Sequence, residues 1–247
     1  MRLEQFTSLI SKANAEEVFL EWKNGLPLGV AANGDILLSQ RRARPLTTRH
    51  TCVVGAGRSE FLQRLLLILS CVYKKQEACF LILSPYKAYD EFLQLERIDA
   101  TVPYILKKSH FDEGLNALKK VKEMRETGAG YPHLFVVLDG VEDLPGFNEN
   151  EDLEELRAVI DLLAHRTDAD VLCGVDLVSS IFKGYPGAFV GMGNCLVTAE
   201  KDGMAYVTYV EDDASLSLPV EIEYPVDTSL REGIALLNSL SNEAKEG

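Results

Sequence analysis

The 247-residue chain is 47% hydrophobic and 26% charged, a composition typical of globular proteins, which excludes the disordered, collagen-like and coiled-coil classes. Its formal net charge of −13 disfavours binding a polyanion over the whole surface but leaves a local basic patch open. No run of 18 apolar residues occurs, and the N-terminus lacks the apolar segment of a secretory signal, so we expect a soluble chain that does not itself insert into a membrane.

The first 46 residues predict an appendage to a larger core. The spacing of apolar residues over 3–22 indicates two short helices, with Asn14 as the N-cap of the second. The dipeptide Asn33-Gly34 lies between two apolar runs and predicts a β-hairpin. An arginine-rich link follows at residues 40–45.

From residue 47 the pattern alternates between short apolar runs and amphipathic helices. Strands are predicted at 51–54, 78–83, 102–106, 133–138 and 170–175. Helices are predicted at 59–73, 86–95, 111–126 and 153–164. Continuous apolar strands that alternate with helices indicate a parallel sheet covered on both faces.

The pattern changes after Ser180. Strands at 195–199 and 204–210, joined around Gly203, predict an antiparallel hairpin, and a further strand is predicted at 218–222. A last helix is predicted from Thr228. We therefore expect one α/β core over residues 47–247, with residues 1–46 appended to it.

Residues 53–61 lie where the first core strand turns into a helix, a junction that commonly binds phosphates. A Rossmann fingerprint is disfavoured because Glu60 occupies the position of its third glycine. The second core strand also ends in Leu83-Ser84-Pro85, without the acidic residue that binds a ribose.

A P-loop motif fits the same junction only in part. Gly57-Arg58-Ser59 is similar to the end of the motif, with arginine in the lysine position. Cys52 falls where the first glycine belongs, and a loop counted from Gly55 is three residues short. A ring of backbone amides therefore cannot close around a phosphate in the usual way.

The strand at 133–138 ends in Asp139, as in the second motif of P-loop NTPases. There the aspartate supports Mg²⁺, and a following carboxylate polarises the attacking water. Here Gly140 comes next, and Glu142 follows two residues later. Asp139 is thus the candidate magnesium ligand or a plain polar strand end, and Asp139 and Glu142 are the only catalytic candidates.

Several segments in order resemble a known family. They are Phe6–Ile10, Ala15–Val18, Trp22, Leu26–Val30, His50–Gly55, Gly57–Leu62, Ser84–Lys87, Val102–Ile105, the strand to Asp139, and Gly191–Asn194. Over nearly the whole chain the sequence resembles an FtsK/SpoIIIE-type P-loop ATPase domain, most of all the tandem domains of type VII secretion ATPases (the EccC/EssC group). The resemblance implies a RecA-like three-layer sandwich with a mostly parallel sheet, an antiparallel C-terminal hairpin and the N-terminal appendage.

Three departures from the family concern hydrolysis. The loop is short with Arg58 for lysine, Gly140 replaces the glutamate after the aspartate, and Val175-Asp176 replaces a polar sensor. Each change removes transition-state stabilisation. By resemblance we expect a degenerate, non-hydrolysing domain for substrate recruitment or interdomain regulation, without bound ATP or Mg²⁺. The alternative is an active ATP-driven translocase of protein or DNA with an atypical P-loop.

The resemblance also implies nucleotide contacts, partners and a location. Residues Gly55, Gly57, Arg58 and Ser59 would contact any bound nucleotide. The expected partners are neighbouring ATPase domains of the same motor and small helical secretion substrates, at the cytoplasmic face of a membrane-anchored complex. Tyr185, Phe189, Leu196 and Tyr206 would form a surface for a partner helix, or belong to the core.

Positive charge is concentrated near the phosphate loop of this acidic chain, at Arg41, Arg42, Arg44, Arg49, Arg58 and Arg64. These arginines could contact phosphate, nucleotide or DNA, contact a neighbouring domain, or pair with the acidic stretch at 149–155. Aromatic residues for base stacking do not alternate with them between positions 41 and 64, which argues against DNA.

The remaining reactive side chains predict no further chemistry. The five cysteines form no CxxC pair and the four histidines show no metal-ligand spacing, which predicts buried thiols in a reducing compartment. No G-x-S-x-G motif supports a hydrolase triad.

Overall fold

The computed structural model describes most of the predicted core. The described residues are 26–39, 50–73, 77–98, 104–128, 130–164, 166, 168–174, 195–209, 217–224, 231–235 and 237. The helices predicted over 3–22, the arginines at 41–49, Val175-Asp176, Tyr185 and Phe189 lie outside them, and those predictions stay predictions.

The described residues form ten strands. These are β1 (Pro27–Ala31), β2 (Ile36–Leu38), β3 (His50–Val54), β4 (Ala78–Leu83), β5 (Tyr104–Lys108), β6 (His133–Asp139), β7 (Ala169–Gly174), β8 (Cys195–Ala199), β9 (Met204–Tyr209) and β10 (Val220–Glu223). The helices are α1 (Arg58–Val72), α2 (Phe92–Ile98), α3 (Phe111–Thr127) and α4 (Glu149–Ala164), with 3₁₀ turns at Lys87–Glu91 and Val141–Asp143. Residues 231–235 are also helical.

The described strands make one mixed sheet in the order β2-β1-β10-β9-β8-β3-β7-β6-β4-β5. From β8 to β5 all neighbours are parallel, and from β8 to β2 all are antiparallel. Strand β7 lies between β3 and β6, so the strands that precede the phosphate loop and end in Asp139 are one strand apart. The predicted parallel core and antiparallel hairpin β8–β9 are both present.

Helices cover both faces of the parallel part. Phe61, Leu65 and Phe92, from α1 and α2, pack on one face together with Phe135 and Val137 of β6. On the other face, residues of α3 and α4 pack against the alternate side chains of β6, namely Leu134, Val136 and Leu138. Because both faces are buried, these strands are apolar along their length, as the sequence indicates. The fold class is therefore the predicted three-layer α/β sandwich.

Two element boundaries that differ from the prediction have local chemical reasons. Helix α4 begins at Glu149 instead of 153, because the Asp152 carboxylate accepts the Asn148 backbone N–H at 2.7 Å and satisfies an amide at the helix start. Strand β10 begins at Val220 instead of 218, because Pro219 has no N–H to donate, and Leu218 is exposed.

The hairpin β1–β2 joins the sheet through β10, where Val30 is opposite Glu223. A domain boundary at residue 46 stays a prediction, because residues 40–49 lie outside the described residues. Within the described parts of the chain, no helix has the length and apolar character needed to cross a membrane.

Candidate functional site

The candidate phosphate loop is only three residues long. Strand β3 ends at Val54 and α1 begins at Arg58, with Gly55, Ala56 and Gly57 between them. Gly55 has a φ of +97°, a conformation that favours glycine, and a Cβ at this position would overlap the Ala199 carbonyl. Strand and helix are therefore joined by a tight turn that packs against Ala199.

Two backbone N–H groups at this turn donate hydrogen bonds to carbonyls of the same chain. The Gly57 N–H donates to the Ala199 carbonyl at 3.0 Å, and the Arg58 N–H donates to the Gly55 carbonyl at 3.2 Å. Phosphate binding at a helix N-terminus needs N–H groups that point freely at the ligand. Both of these amides already have protein acceptors.

The space beside Gly57 is filled by a residue that follows β10. The Tyr224 hydroxyl lies 3.3 Å from the Gly57 carbonyl and donates to the Glu200 carbonyl. A Cβ on Gly57 would overlap both the Tyr224 hydroxyl and the Glu200 carbonyl. Nothing in the sequence pattern signalled Tyr224, because it is 167 residues from the loop.

Arg58, in the lysine position, faces the candidate magnesium ligand. Its Nε lies 3.7 Å from Oδ1 of Asp139, whose side chain is 0% exposed. Oδ2 of Asp139 accepts the Tyr89 hydroxyl at 2.9 Å. Burial raises the pKa of Asp139, while the hydroxyls of Ser59 and Tyr89 and the charge of Arg58 act in the opposite direction.

Close packing against β7 keeps Asp139 in place. Gly174, opposite Asp139 in the sheet, has no side chain, and a Cβ there would lie 2.7 Å from Asp139 Oδ1 and 2.9 Å from Leu62 Cδ1. The sequence prediction missed both Tyr89 and Gly174. They come from separate segments, and only the strand order brings them to Asp139.

The position after Asp139 cannot easily hold a larger residue. Gly140 has a φ of +66°, and its Cβ would lie 2.6 Å from the Tyr86 hydroxyl. The next residues form a 3₁₀ turn, in which Asp143 accepts the Tyr86 hydroxyl at 3.4 Å. Burial raises the pKa of Glu142 in this turn, close enough to Arg58 and Asp139 to feel their charges.

The carboxyl ends of β3 and β6, called here the sheet edge, therefore bring Arg58, Ser59, Asp139 and Glu142 together. Their arrangement does not fit a magnesium-bound nucleotide. Magnesium keeps several waters and is bound by carboxylates and phosphates together, which requires an accessible carboxylate. Asp139 is inaccessible, and the positive charge beside it belongs to Arg58. Among the described residues no group of three or more histidine, cysteine or acidic side chains could hold a metal ion.

The candidate partner surface is described only in part. Tyr206 on β9 is 36% exposed, and a hydrogen bond to Glu221 of β10 raises its pKa. Leu196 on β8 is partly buried against the α3–α4 side of the core. Whether these residues bind a partner helix stays a prediction.

The two arginines of the basic segment that the structure describes, Arg58 and Arg64, make internal contacts. Arg58 faces Asp139, and Arg64 pairs with Glu60 on α1 and lies over the Tyr224 ring, with Cζ 5.3 Å from its centroid. The predicted pairing of this segment with residues 149–155 stays a prediction. Within that stretch Glu155 pairs with Lys119 and Glu154 with Arg157.

No protein-family model matches the chain, and no curated protein sequence matches it either. Similarity is found among solved structures. A structure described as "EssC (ATPases 2 and 3) from Geobacillus thermodenitrificans" superposes with a TM-score of 0.56 at 14% identity, over 92% of this chain and 50% of that one. "The cytoplasmic domain of EssC" superposes with a TM-score of 0.50 at 14% identity, over 90% of this chain and 50% of that one. This chain thus spans about half the length of the EssC structures it matches, and it has the P-loop α/β fold of an EssC ATPase domain.

Proposed function

We propose that this chain is a non-hydrolysing EssC-like domain that serves a type VII secretion motor by substrate recruitment or interdomain regulation. The fold of the EssC ATPases supports the choice of motor. The chemistry of the sheet edge supports the absence of hydrolysis.

One observation carries the proposal: Asp139, at the position of the acid that supports magnesium in a P-loop site, is 0% exposed and faces Arg58. An arginine guanidinium is planar and longer than a lysine ammonium, so it reaches a different place. Here it reaches the carboxylate that would support magnesium. In a P-loop the cation at this position contacts phosphate, whereas here Arg58 lies beside the buried carboxylate of Asp139. A buried charge without a partner is energetically costly.

Two further features of the edge agree with this role. The Gly57 and Arg58 amides have protein acceptors, so these two donors are not free to bind a phosphate. The glutamate position of the family is Gly140, in a left-handed conformation against Tyr86. Loss of the base or of the phosphate-binding cation each costs several kcal/mol of transition-state stabilisation, on the order of 3 or more.

The test is ATP turnover by the purified chain, with Asp139→Ala as the diagnostic variant. We expect no turnover above background with Mg²⁺ and ATP, and no heat of binding in calorimetry at micromolar nucleotide. Turnover that Asp139→Ala abolishes would overturn the proposal. Asp143→Ala is the matched control, since it removes a nearby exposed carboxylate and leaves Asp139 in place.

A second candidate is an active ATP-driven translocase that uses Arg58 for lysine and Glu142 as the base. The raised pKa of Glu142 favours it, since a general base works best when its pKa is near the working pH. This candidate expects micromolar binding of Mg²⁺-ATP and a turnover lost in Glu142→Gln. Absence of any heat of binding eliminates it.

The partners in the main proposal are neighbouring ATPase domains of the same motor and small helical secretion substrates. The location is the cytoplasmic side of a membrane-anchored complex. DNA is the weaker partner, because Arg58 and Arg64 make internal contacts and the chain carries a net charge of −13. Any DNA affinity that does not fall steeply between low and moderate salt would exclude phosphate contacts.

A further inference from the structure

The short turn between β3 and α1 is held by the antiparallel end of the sheet. Tyr224, directly after β10, is 2% exposed, and its backbone N–H donates to the Gly203 carbonyl at 2.7 Å. Its hydroxyl donates to the Glu200 carbonyl and lies 3.3 Å from the Gly57 carbonyl oxygen. One side chain therefore connects the β9–β10 region to the turn.

The Tyr224 ring is fixed by the first turns of α1. It packs edge-to-face on Phe61, with ring centroids 5.3 Å apart and an interplanar angle of 85°. The Arg64 guanidinium lies over the same ring and is held there by Glu60. Burial raises the pKa of Tyr224, so its hydroxyl stays protonated and able to donate at neutral pH.

The carbonyls that accept the hydrogen bonds of Tyr224 and of the turn belong to consecutive residues. Tyr224 donates to the carbonyl of Glu200, and the Gly57 N–H donates to the carbonyl of Ala199, the preceding residue. A constraint on one of these consecutive carbonyls therefore constrains the other. Tyr224 also follows Glu223, which pairs with Val30 of the β1–β2 hairpin.

We propose that Tyr224 is an intramolecular lock on the turn at residues 55–57, which keeps the Gly57 amide paired with Ala199 and closed to phosphate-bearing ligands. The inference rests on the proposed function, in which the turn holds no nucleotide. It adds the residue that keeps the turn shut. The lock reaches the turn from the antiparallel strands β8, β9, β10, β1 and β2, called here the sheet extension, and not from the helix that bears Arg58.

The test measures hydrogen exchange of the Gly57 amide by NMR in the full chain and in Tyr224→Phe. This variant keeps the ring against Phe61 and removes only the hydroxyl. We expect Gly57 exchange to accelerate by about fivefold, the effect of losing one ordinary buried hydrogen bond from a local opening equilibrium.

Tyr209→Phe is the matched control. Tyr209 is also buried, lies in the same sheet extension, and donates its hydroxyl to the Leu38 carbonyl, away from the turn. We expect it to leave Gly57 exchange unchanged. Unchanged exchange in Tyr224→Phe, or equal acceleration in both variants, would overturn the inference. Neither result bears on ATP turnover, so failure of the lock and failure of the proposed function are distinguishable.

Discussion

A carboxylate directly after Asp139, where P-loop NTPases hold the group that polarises the attacking water, would test whether this site lacks only its base. Gly140→Glu supplies the missing group but places a side chain at a φ of +66°. A non-glycine residue in the left-handed region costs roughly 1–2 kcal/mol. We therefore expect the variant to lose stability and to gain no ATP turnover.

The size of the effect follows from the contacts at this position. A Cβ on Gly140 would lie 2.6 Å from the Tyr86 hydroxyl and 2.7 Å from its Cζ, so the ring must move. Tyr86 is partly exposed and can rotate, but it then gives up its hydrogen bond to Asp143, worth about 0.5–1 kcal/mol at such a site. The total is about 2 kcal/mol, or a fall in melting temperature of about 4–8 °C for a chain of this size.

The measurement is urea denaturation of Gly140→Ala, Gly140→Glu and a matched control, Gly34→Ala. Gly34 has a φ of +86° and nothing within 4 Å of its Cβ, so the control reports backbone strain without a clash. We expect Gly140→Ala to cost about 1 kcal/mol more than Gly34→Ala because of Tyr86. In a Tyr86→Ala background this excess should disappear.

Two results would refute this reasoning. Gly140→Ala could prove no more costly than Gly34→Ala, in which case Tyr86 does not restrict the position. Alternatively, Gly140→Glu could turn over ATP at a rate that Asp139→Ala abolishes, in which case the edge lacks only its base.

Three further predictions concern other buried groups. Since burial raises the folded-state pKa of Asp139 above its ordinary value, ionisation of this carboxyl destabilises the folded state as pH rises through that pKa. In chemical denaturation between pH 4 and 8, Asp139→Asn should therefore lack the gain in stability that this group gives the wild type on acidification. An unchanged pH dependence in Asp139→Asn would contradict this. Arg125 is 4% exposed and donates to the Asp168 carboxylate at 2.7 Å and to the Pro132 carbonyl. Arg125→Met should therefore lower the free energy of unfolding by about 2–4 kcal/mol. The control Arg157→Met removes a surface pair with Glu154 and should lower it by less than about 0.5 kcal/mol in the same assay. Burial raises the pKa of Cys195 to about 12 and also raises the pKa values of Cys52 and Cys173. Because the thiolate is the reactive form, iodoacetamide at pH 8 should label these thiols only after unfolding. Rapid labelling of the native chain, detected by mass spectrometry, would contradict this.

The sequence predicted most of the fold because local patterns carry that information. Buried parallel strands are apolar along their length, as in β4 and β6, and the helices between them show one apolar face. The Asn33-Gly34 turn predicted the β1–β2 hairpin for a similarly local reason. Boundaries were predicted less well where polar groups decide them, as at the start of α4.

The sequence also predicted that one site contains Gly55, Gly57, Arg58, Ser59, Asp139 and Glu142. It further predicted that this site departs from the P-loop pattern in its short turn and in the missing glutamate after Asp139. It could not supply the contacts that decide what the edge does. Tyr89, Gly174 and Tyr224 are 50, 35 and 167 residues from the groups they contact in the chain, at Asp139 and Gly57. Side chains this distant meet only through the order and pairing of strands, which long-range packing sets. Composition and periodicity determined that a sheet with helices would form, and the tertiary structure decided which side chains meet beside the turn, with Arg58 against Asp139 and Tyr224 against Gly57.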